Sequence, residues 1–176
     1  MSKSQHSYKV NDDNTLTLPN GETMIIIDSS KRSSDWRLYY RMMPCSPFGE
    51  TIKSLRFYKK THYQDQGLFQ EVITELIIPP KTQFYVENCN VNALCSKFRF
   101  ERALVSNQTC IKTNKNILET YSMFDPTFRY LVGELVEPLG SFYNYDQWLD
   151  DGRSNATFQH GIHGFQSRDH ARLFNL

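Results

Sequence analysis

The feature that most constrains the fold is a series of short strand-like runs, each ended by turn residues and followed by a short connection. The clearest example lies near the N-terminus, where Thr15–Leu18 and Thr23–Asp28 flank Asn20-Gly21, a dipeptide typical of tight hairpin turns. Connections of this length are too short for repeated parallel βαβ crossovers. The sequence therefore predicts a strand-dominated α+β domain with mostly antiparallel sheets.

Further strands are expected along the chain, separated by polar or proline-containing segments. The polar residues 61–67 are predicted to form a loop, and Gly133 is predicted to mark a bulge or kink within its strand. Residues 1–50 are interpreted as an N-terminal hairpin appendage that packs with a main β-rich domain over 51–176. The expected strands include Thr51–Lys60, Phe69–Ile78, Thr82–Val86, Phe98–Val105 and Thr127–Pro138.

Composition limits the classes of partner. Twelve Phe, ten Tyr and two Trp favour an aromatic, β-rich core. Twenty Lys and Arg against nineteen Asp and Glu give a net charge of +1, so no electrostatic footprint for nucleic acid is present. No run approaches the roughly 18 apolar residues of a membrane helix, and the N-terminus lacks an apolar signal core. We therefore expect an intracellular protein with neither a nucleic-acid nor a membrane partner.

The C-terminal stretch contains the most candidates for a functional site, because it holds three of the five histidines. A short strand is expected to pass through His163 and to be irregular at glycine. Ser167 is then predicted to cap a short helix, with Asp169 in its first turn and Ala171 on its inner face.

Two interpretations of this stretch stay open. In the first, His160 and His163 are candidates for general acid or base catalysis. A phosphate- or nucleotide-like ligand would then bind beside them, and the candidates for binding it are Gly161, Gly164, Ser167 and Arg168. In the second, the same residues form an ordinary capped helix.

No metal or other cofactor is expected. His160 and His163 point to opposite faces of a regular strand, and two histidines are fewer than the ligands that zinc usually takes. The four cysteines contain no C-x-x-C pair and match neither a zinc module nor a dense disulfide framework.

The main functional prediction is a non-enzymatic domain that binds a protein partner or self-assembles. The sequence contains no glycine-rich phosphate loop, nucleophile elbow, H-E-x-x-H motif or paired-carboxylate motif. An aromatic-rich segment provides candidates for an interface core, namely Phe142, Tyr143, Tyr145 and Trp148.

Several sequence blocks, taken in order, resemble an uncharacterised domain family of large double-stranded DNA viruses and some microbes, often found beside pentapeptide repeats. The resemblance covers about residues 52–174 and implies a protein encoded by such a virus or microbe, located in the host cytoplasm or the virion if it is viral. It implies no known activity. The blocks are Arg56–Lys60, Ile73–Pro79, Cys95–Val105, Tyr130–Pro138 and His160–Phe165, followed by Ala171.

The chain departs from the family pattern in its closing motif. Gly164 stands where the pattern Gly-Ile-His-Phe-Phe has its first Phe, and Gln159 or His160 stands near the usual position of a Cys. No role of that Cys is therefore carried over to this chain.

Overall fold

The structure is a computed structural model that describes residues 9–13, 15–18, 21–26, 48–87, 97–138 and 161–174. Among these residues every strand pairing is antiparallel, and a short helix follows the last strand, as predicted. In chain order the elements are β1 (Lys9–Val10), β2 (Thr15–Thr17), β3 (Thr23–Ile26), β4 (Phe48–Thr51), β5 (Leu55–Asp65), β6 (Leu68–Ile78), β7 (Gln83–Glu87), β8 (Lys97–Phe100), β9 (Ala103–Cys110), β10 (Glu119–Ser122), β11 (Arg129–Leu131), β12 (Leu135–Val136), β13 (Ile162–Gly164) and helix α1 (Arg168–Leu173).

The strands form two sheets that share one apolar core. The first sheet has the order β1-β2-β3-β4-β7-β8-β13, and the second has the order β11-β10-β5-β6-β9-β12. At the centre of the core the Phe57 ring of the second sheet lies 5.0 Å from Phe98 and 4.6 Å from Phe100 of the first. Such edge-on aromatic contacts add to the free energy of burying the rings.

The predicted N-terminal hairpin is confirmed as β2 and β3, with Thr15 opposite Ile25 and Thr17 opposite Thr23. Gly21 adopts φ +85° in the turn, a conformation that glycine takes without strain. β3 in turn pairs with β4, which links the hairpin to the rest of the first sheet. The division of the chain at residue 50 stays a prediction.

Two expected strands are each broken in the structure. The run Phe98–Val105 divides at Glu101 and Arg102, where the chain passes from β8 in the first sheet to β9 in the second. The run Thr127–Pro138 divides at Gly133, whose φ of +91° turns the chain from β11 to β12. The expected kink is therefore a complete turn between strands.

This turn reveals how strongly the second sheet is curled. β11 and β12 are the opposite edges of the sheet, yet only residues 132–134 separate them in the chain. The backbone of this link bonds to both sides: Val132 N–H donates to the Leu118 carbonyl at 2.9 Å and Gly133 N–H to the Val105 carbonyl at 2.8 Å. The two edges of the sheet consequently lie close together around a shared interior.

The loop predicted over residues 61–67 is wrong for most of its length. Thr61–Asp65 complete β5, and the turn contains only Gln66 and Gly67. The error arises because Thr61 and Thr74 face each other inside the curled sheet, where a polar network replaces the usual apolar side chains.

Gln108 is the centre of that interior network. Its carbonyl oxygen accepts hydrogen bonds from the hydroxyls of Thr74, at 2.9 Å, and Thr120. Its amide nitrogen donates to the carbonyl oxygens of Leu118 at 2.9 Å and Tyr130 at 3.1 Å. The fully buried side chain thus uses both lone pairs and both protons, and it connects β6, β9, β10 and β11.

We predict that Gln108→Leu lowers the free energy of unfolding by about 3 kcal/mol or more, because the hydroxyls of Thr74 and Thr120 and the carbonyls of Leu118 and Tyr130 each lose a hydrogen bond together. Urea unfolding followed by circular dichroism measures this loss. Gln64→Leu makes the same exchange at an exposed position and should change stability little. Equal stability of the two variants would show that the network is not needed for folding.

Candidate functional site

The C-terminal stretch joins the two sheets at one corner. β13 pairs with β8, which places His163 directly opposite Arg99. Phe165 then pairs with Tyr58 of β5 in the second sheet, and each backbone N–H donates to the other residue's carbonyl at 2.7 Å. The predicted strand is therefore present, and its role in the fold is to link the sheets.

His163 lies in an aromatic cluster and is only 3% exposed. Its imidazole ring is 5.0 Å from the ring of Phe124, 5.7 Å from that of Phe174 and 6.3 Å from that of Phe165. Three phenyl rings around one imidazole are the surroundings of a packed core side chain, and they leave His163 almost no contact with solvent.

The other predicted ligand-binding residues have defined structural roles. The Ser167 hydroxyl accepts hydrogen bonds from the backbone N–H groups of Asp169, at 3.2 Å, and His170, at 3.5 Å, which confirms the predicted helix cap. Gly161 adopts φ +99°, and its carbonyl accepts a hydrogen bond from Arg99 at 3.4 Å. Arg168, by contrast, is exposed at the start of the helix.

Gly164 packs closely against β5. A Cβ atom at this position would lie 3.3 Å from the Phe57 Cβ and 3.5 Å from the Tyr58 carbonyl oxygen. A side chain as large as the Phe of the family pattern would therefore require β5 or Phe57 to shift.

Several predicted residues fall outside the described part of the chain. They are His160 and the interface candidates Phe142, Tyr143, Tyr145 and Trp148. Among the residues that the structure does describe, no group of three or more His, Cys, Asp or Glu side chains is placed to hold a metal ion. Within the same residues no helix has the length and apolar character needed to span a membrane.

A second candidate site lies at the far end of the β5–β6 hairpin. β5 pairs with β10 at residues 61 and 62 of β5. β6 pairs with β9 over residues 72–77 of β6. The hairpin itself continues to the pair Asp65 and Leu68. Residues 63–70 therefore extend beyond the paired parts of both neighbouring strands, and we call them the β5–β6 arm.

The arm carries two large apolar side chains at its tip. Leu68 is 65% exposed and Phe69 is 54% exposed. Because neighbouring residues of a strand point to opposite faces, these two side chains give each face of the arm one apolar group.

The arm is held at its base by two sets of contacts. The His62 ring stacks on the Phe69 ring at 4.7 Å with an interplanar angle of 19°. On the other face, Tyr63 lies close to the buried thiol of Cys110 and contributes to the shift of its pKa. Burial alone would raise the pKa of this thiol, but hydrogen bonds from Thr113, from the backbone N–H groups that follow Cys110 and from Tyr63 lower it.

His62 has an unusual environment for a partly exposed histidine. Its Nδ1 atom is buried and has no hydrogen-bond partner within the described structure. Desolvation lowers the pKa of His62 below its ordinary value of 6.5, and a backbone hydrogen bond with Tyr121 opposes this shift. The neutral imidazole is therefore the form that the folded arm favours.

Sequence reasoning missed the arm because its signals are weak. The turn residues Gln66 and Gly67 both have positive φ, 49° and 80°, which is the pattern of a type I′ hairpin turn. Gln-Gly is not among the dipeptides that normally announce this turn, whereas Asn20-Gly21 is. The sequence feature that indicates this turn is Gly67, which stands immediately before the apolar pair Leu68-Phe69.

A family model described as a family of unknown function (DUF5758) matches residues 44–171. The chain belongs to this family. The DUF5758 match begins just before β4 and ends within helix α1, so it contains both the C-terminal corner and the arm. Searches of curated proteins and of solved structures found no match.

For this DUF5758 domain we predict that His163→Ala lowers the free energy of unfolding by about 2–4 kcal/mol, because it removes a buried ring from contact with three phenyl groups. Urea unfolding measures the change. Arg172→Ala, at an exposed position of the same C-terminal region, is the control. A His163→Ala protein as stable as the wild type would indicate that the ring is kept for chemistry instead of packing.

Because the pKa of His62 is lowered, we predict that the free energy of unfolding falls as the solution is acidified. The unfolded chain takes up a proton at His62 as pH falls through about 6.5, whereas the folded chain resists until the pH reaches its lower pKa. Unfolding by urea at a series of pH values between about 7.5 and 5 should show this loss. The His62→Gln variant should lose less stability over the same range, and parallel pH profiles for the two proteins would contradict the assignment.

Proposed function

We propose that this chain is a non-enzymatic protein-binding or assembly domain, and that the β5–β6 arm is its binding element. The observation that carries the proposal is the exposure of Leu68 and Phe69 at the tip of a projecting hairpin, 65% and 54% respectively. Covering large apolar side chains with a partner removes apolar surface from water, which favours binding.

The arm is well ordered for binding before any partner arrives. β5 and β6 pair residue for residue over eleven positions, from Leu55 opposite Ile78 to Asp65 opposite Leu68. The base of the arm is fixed by the stacking of His62 on Phe69 and by the contact between Tyr63 and Cys110. A preformed element loses little conformational entropy on binding, so more of its contact energy appears as affinity.

The balance of charge favours a protein partner. The net charge of +1 provides no general attraction for nucleic acid. Exposed arginines of the second sheet are also paired with acids: Arg56 lies 3.4 Å from Glu75, and Arg129 lies 3.3 Å from Glu134 and 3.7 Å from Glu119. These pairs reduce the positive charge that a phosphate backbone would meet.

The resemblance of the sequence blocks extends this proposal to a biological setting. We infer a virus- or microbe-encoded protein whose relatives often lie beside pentapeptide repeats, acting in the host cytoplasm or within the virion. A structural or assembly role suits a domain with this setting.

The alternative, a phosphate- or nucleotide-like ligand at the C-terminal corner, has less support. His163 is 3% exposed among phenyl rings, and the Ser167 hydroxyl is occupied by the backbone of helix α1. A ligand could not reach either group without a rearrangement of this corner.

The proposal predicts that Leu68→Ser/Phe69→Ser abolishes protein binding while the fold is retained. The matched control is Ile52→Ser/Leu135→Ser, which removes side chains that are 47% and 49% exposed at the opposite end of the β5–β6 hairpin. Each purified protein is analysed by size-exclusion chromatography with light scattering and by mass spectrometry of the chains that it retains from a lysate of its host cells.

The expected result is that the wild type and the control associate with themselves or with another chain and that the arm variant does not. Equal association of all three proteins would exclude the arm as the binding element. A wild type that associates with no protein at all would contradict the function itself.

A further inference from the structure

We propose that the partner of the β5–β6 arm is a second copy of this chain. Two arms would pack side by side in opposite directions across a two-fold axis, with Asp65 of each copy against Lys112 and Lys115 of the other. This inference rests on the proposed function of the arm and names its partner.

Each chain carries both surfaces that such a contact needs, one at the tip of the arm and one beside its base. Asp65 lies at the tip of the arm, in the pair that closes the hairpin. The turn that follows β9 lies beside the base of the arm, where Ile111 N–H donates to the Glu71 carbonyl at 2.9 Å. This turn contains Lys112 and Lys115.

Packing in opposite directions brings each tip to the other copy's base. A strand rises about 3.3 Å per residue, so the arm, from residue 62 at its base to the tip, is roughly 10–13 Å long. Two antiparallel arms of that length place Asp65 next to the turn with the two lysines. Leu68 is paired with Asp65 on the same face of the arm, so it would be covered by the partner in the same contact.

Exposed charges of both signs occur at this end of the molecule. Asp65, Lys112 and Lys115 are exposed, and none of them forms an ion pair with any residue that the structure describes. Asp65 is at the tip of the arm and the two lysines are in the turn beside its base, so two copies in opposite orientation would present opposite charges to each other.

Self-complementarity is what a two-fold interface requires, because each residue that contacts another across the axis is itself contacted in the same way. An arbitrary protein partner would need an unrelated surface with the reverse pattern of charge. The contact is small, so we expect a weak dimer that forms at high protein concentration and weakens with added salt.

The test is a pair of charge-reversal variants measured by sedimentation equilibrium over a range of protein concentrations. Asp65→Lys alone and Lys112→Glu/Lys115→Glu alone should each raise the dimer dissociation constant about tenfold or more, because like charges then meet twice across the axis. An equimolar mixture of the two variants should form dimers again, since both contacts become attractive in the mixed pair. Glu137→Lys, an exposed charge reversal outside the arm, should dimerise like the wild type.

The outcomes separate this inference from the proposed function. A wild type that stays monomeric at every concentration, or a mixture that fails to restore the dimer, would overturn the second copy as partner. If Leu68→Ser/Phe69→Ser nevertheless abolished retention of a different protein, the arm would remain the binding element. Dimers that are unaffected by every arm variant would overturn both.

Discussion

The buried amide of Gln108 is the interaction on which the second sheet depends. It donates to carbonyls near β10 and β11 and accepts from hydroxyls on β6 and β10, so a single side chain connects strands from both halves of the curled sheet. A buried polar group with all its hydrogen bonds made fixes one arrangement of strands, because any shift of register would leave several groups unpaired at once.

The Lys59 ammonium adds a further bond of this kind, since it donates to the Tyr130 hydroxyl at 2.7 Å. Burial raises the pKa of that tyrosine, so it stays neutral.

The β5–β6 hairpin extends from this polar interior to the protein surface. In its middle, Thr61 and Thr74 contribute to the polar network, and at its start Phe57 contributes to the core shared with the first sheet. The same ladder of backbone bonds continues past β9 and β10 as the arm. An element anchored over most of its length can hold a projecting end rigid, which is the property that a binding element needs.

Local patterns in the sequence predicted the local structures well. Asn20-Gly21 predicted the hairpin of β2 and β3, and Ser167 predicted the start of helix α1, because each signal acts within a few residues. The errors concern groups that meet only after folding. Thr61–Asp65 look like a loop because Thr61 faces a polar interior and the residues after it are polar and partly or fully exposed. Thr127–Pro138 looks like one strand because nothing local shows that its two halves belong to opposite edges of a sheet. The arm escaped notice for a related reason, since its projection depends on where β9 and β10 end.

We infer that the arm stands free of its own chain while the rest of the hairpin is fixed in the core. Amide hydrogen exchange, measured by NMR on dilute protein, can distinguish these two parts of the hairpin. We expect slow exchange at residues 57–61 and 72–77 and much faster exchange at the outward-facing amides of residues 63–70, with protection of these arm amides rising at high protein concentration. Arm amides that are as slow to exchange in dilute solution as those of the core would show that the arm is already covered by its own chain, and would contradict the claim.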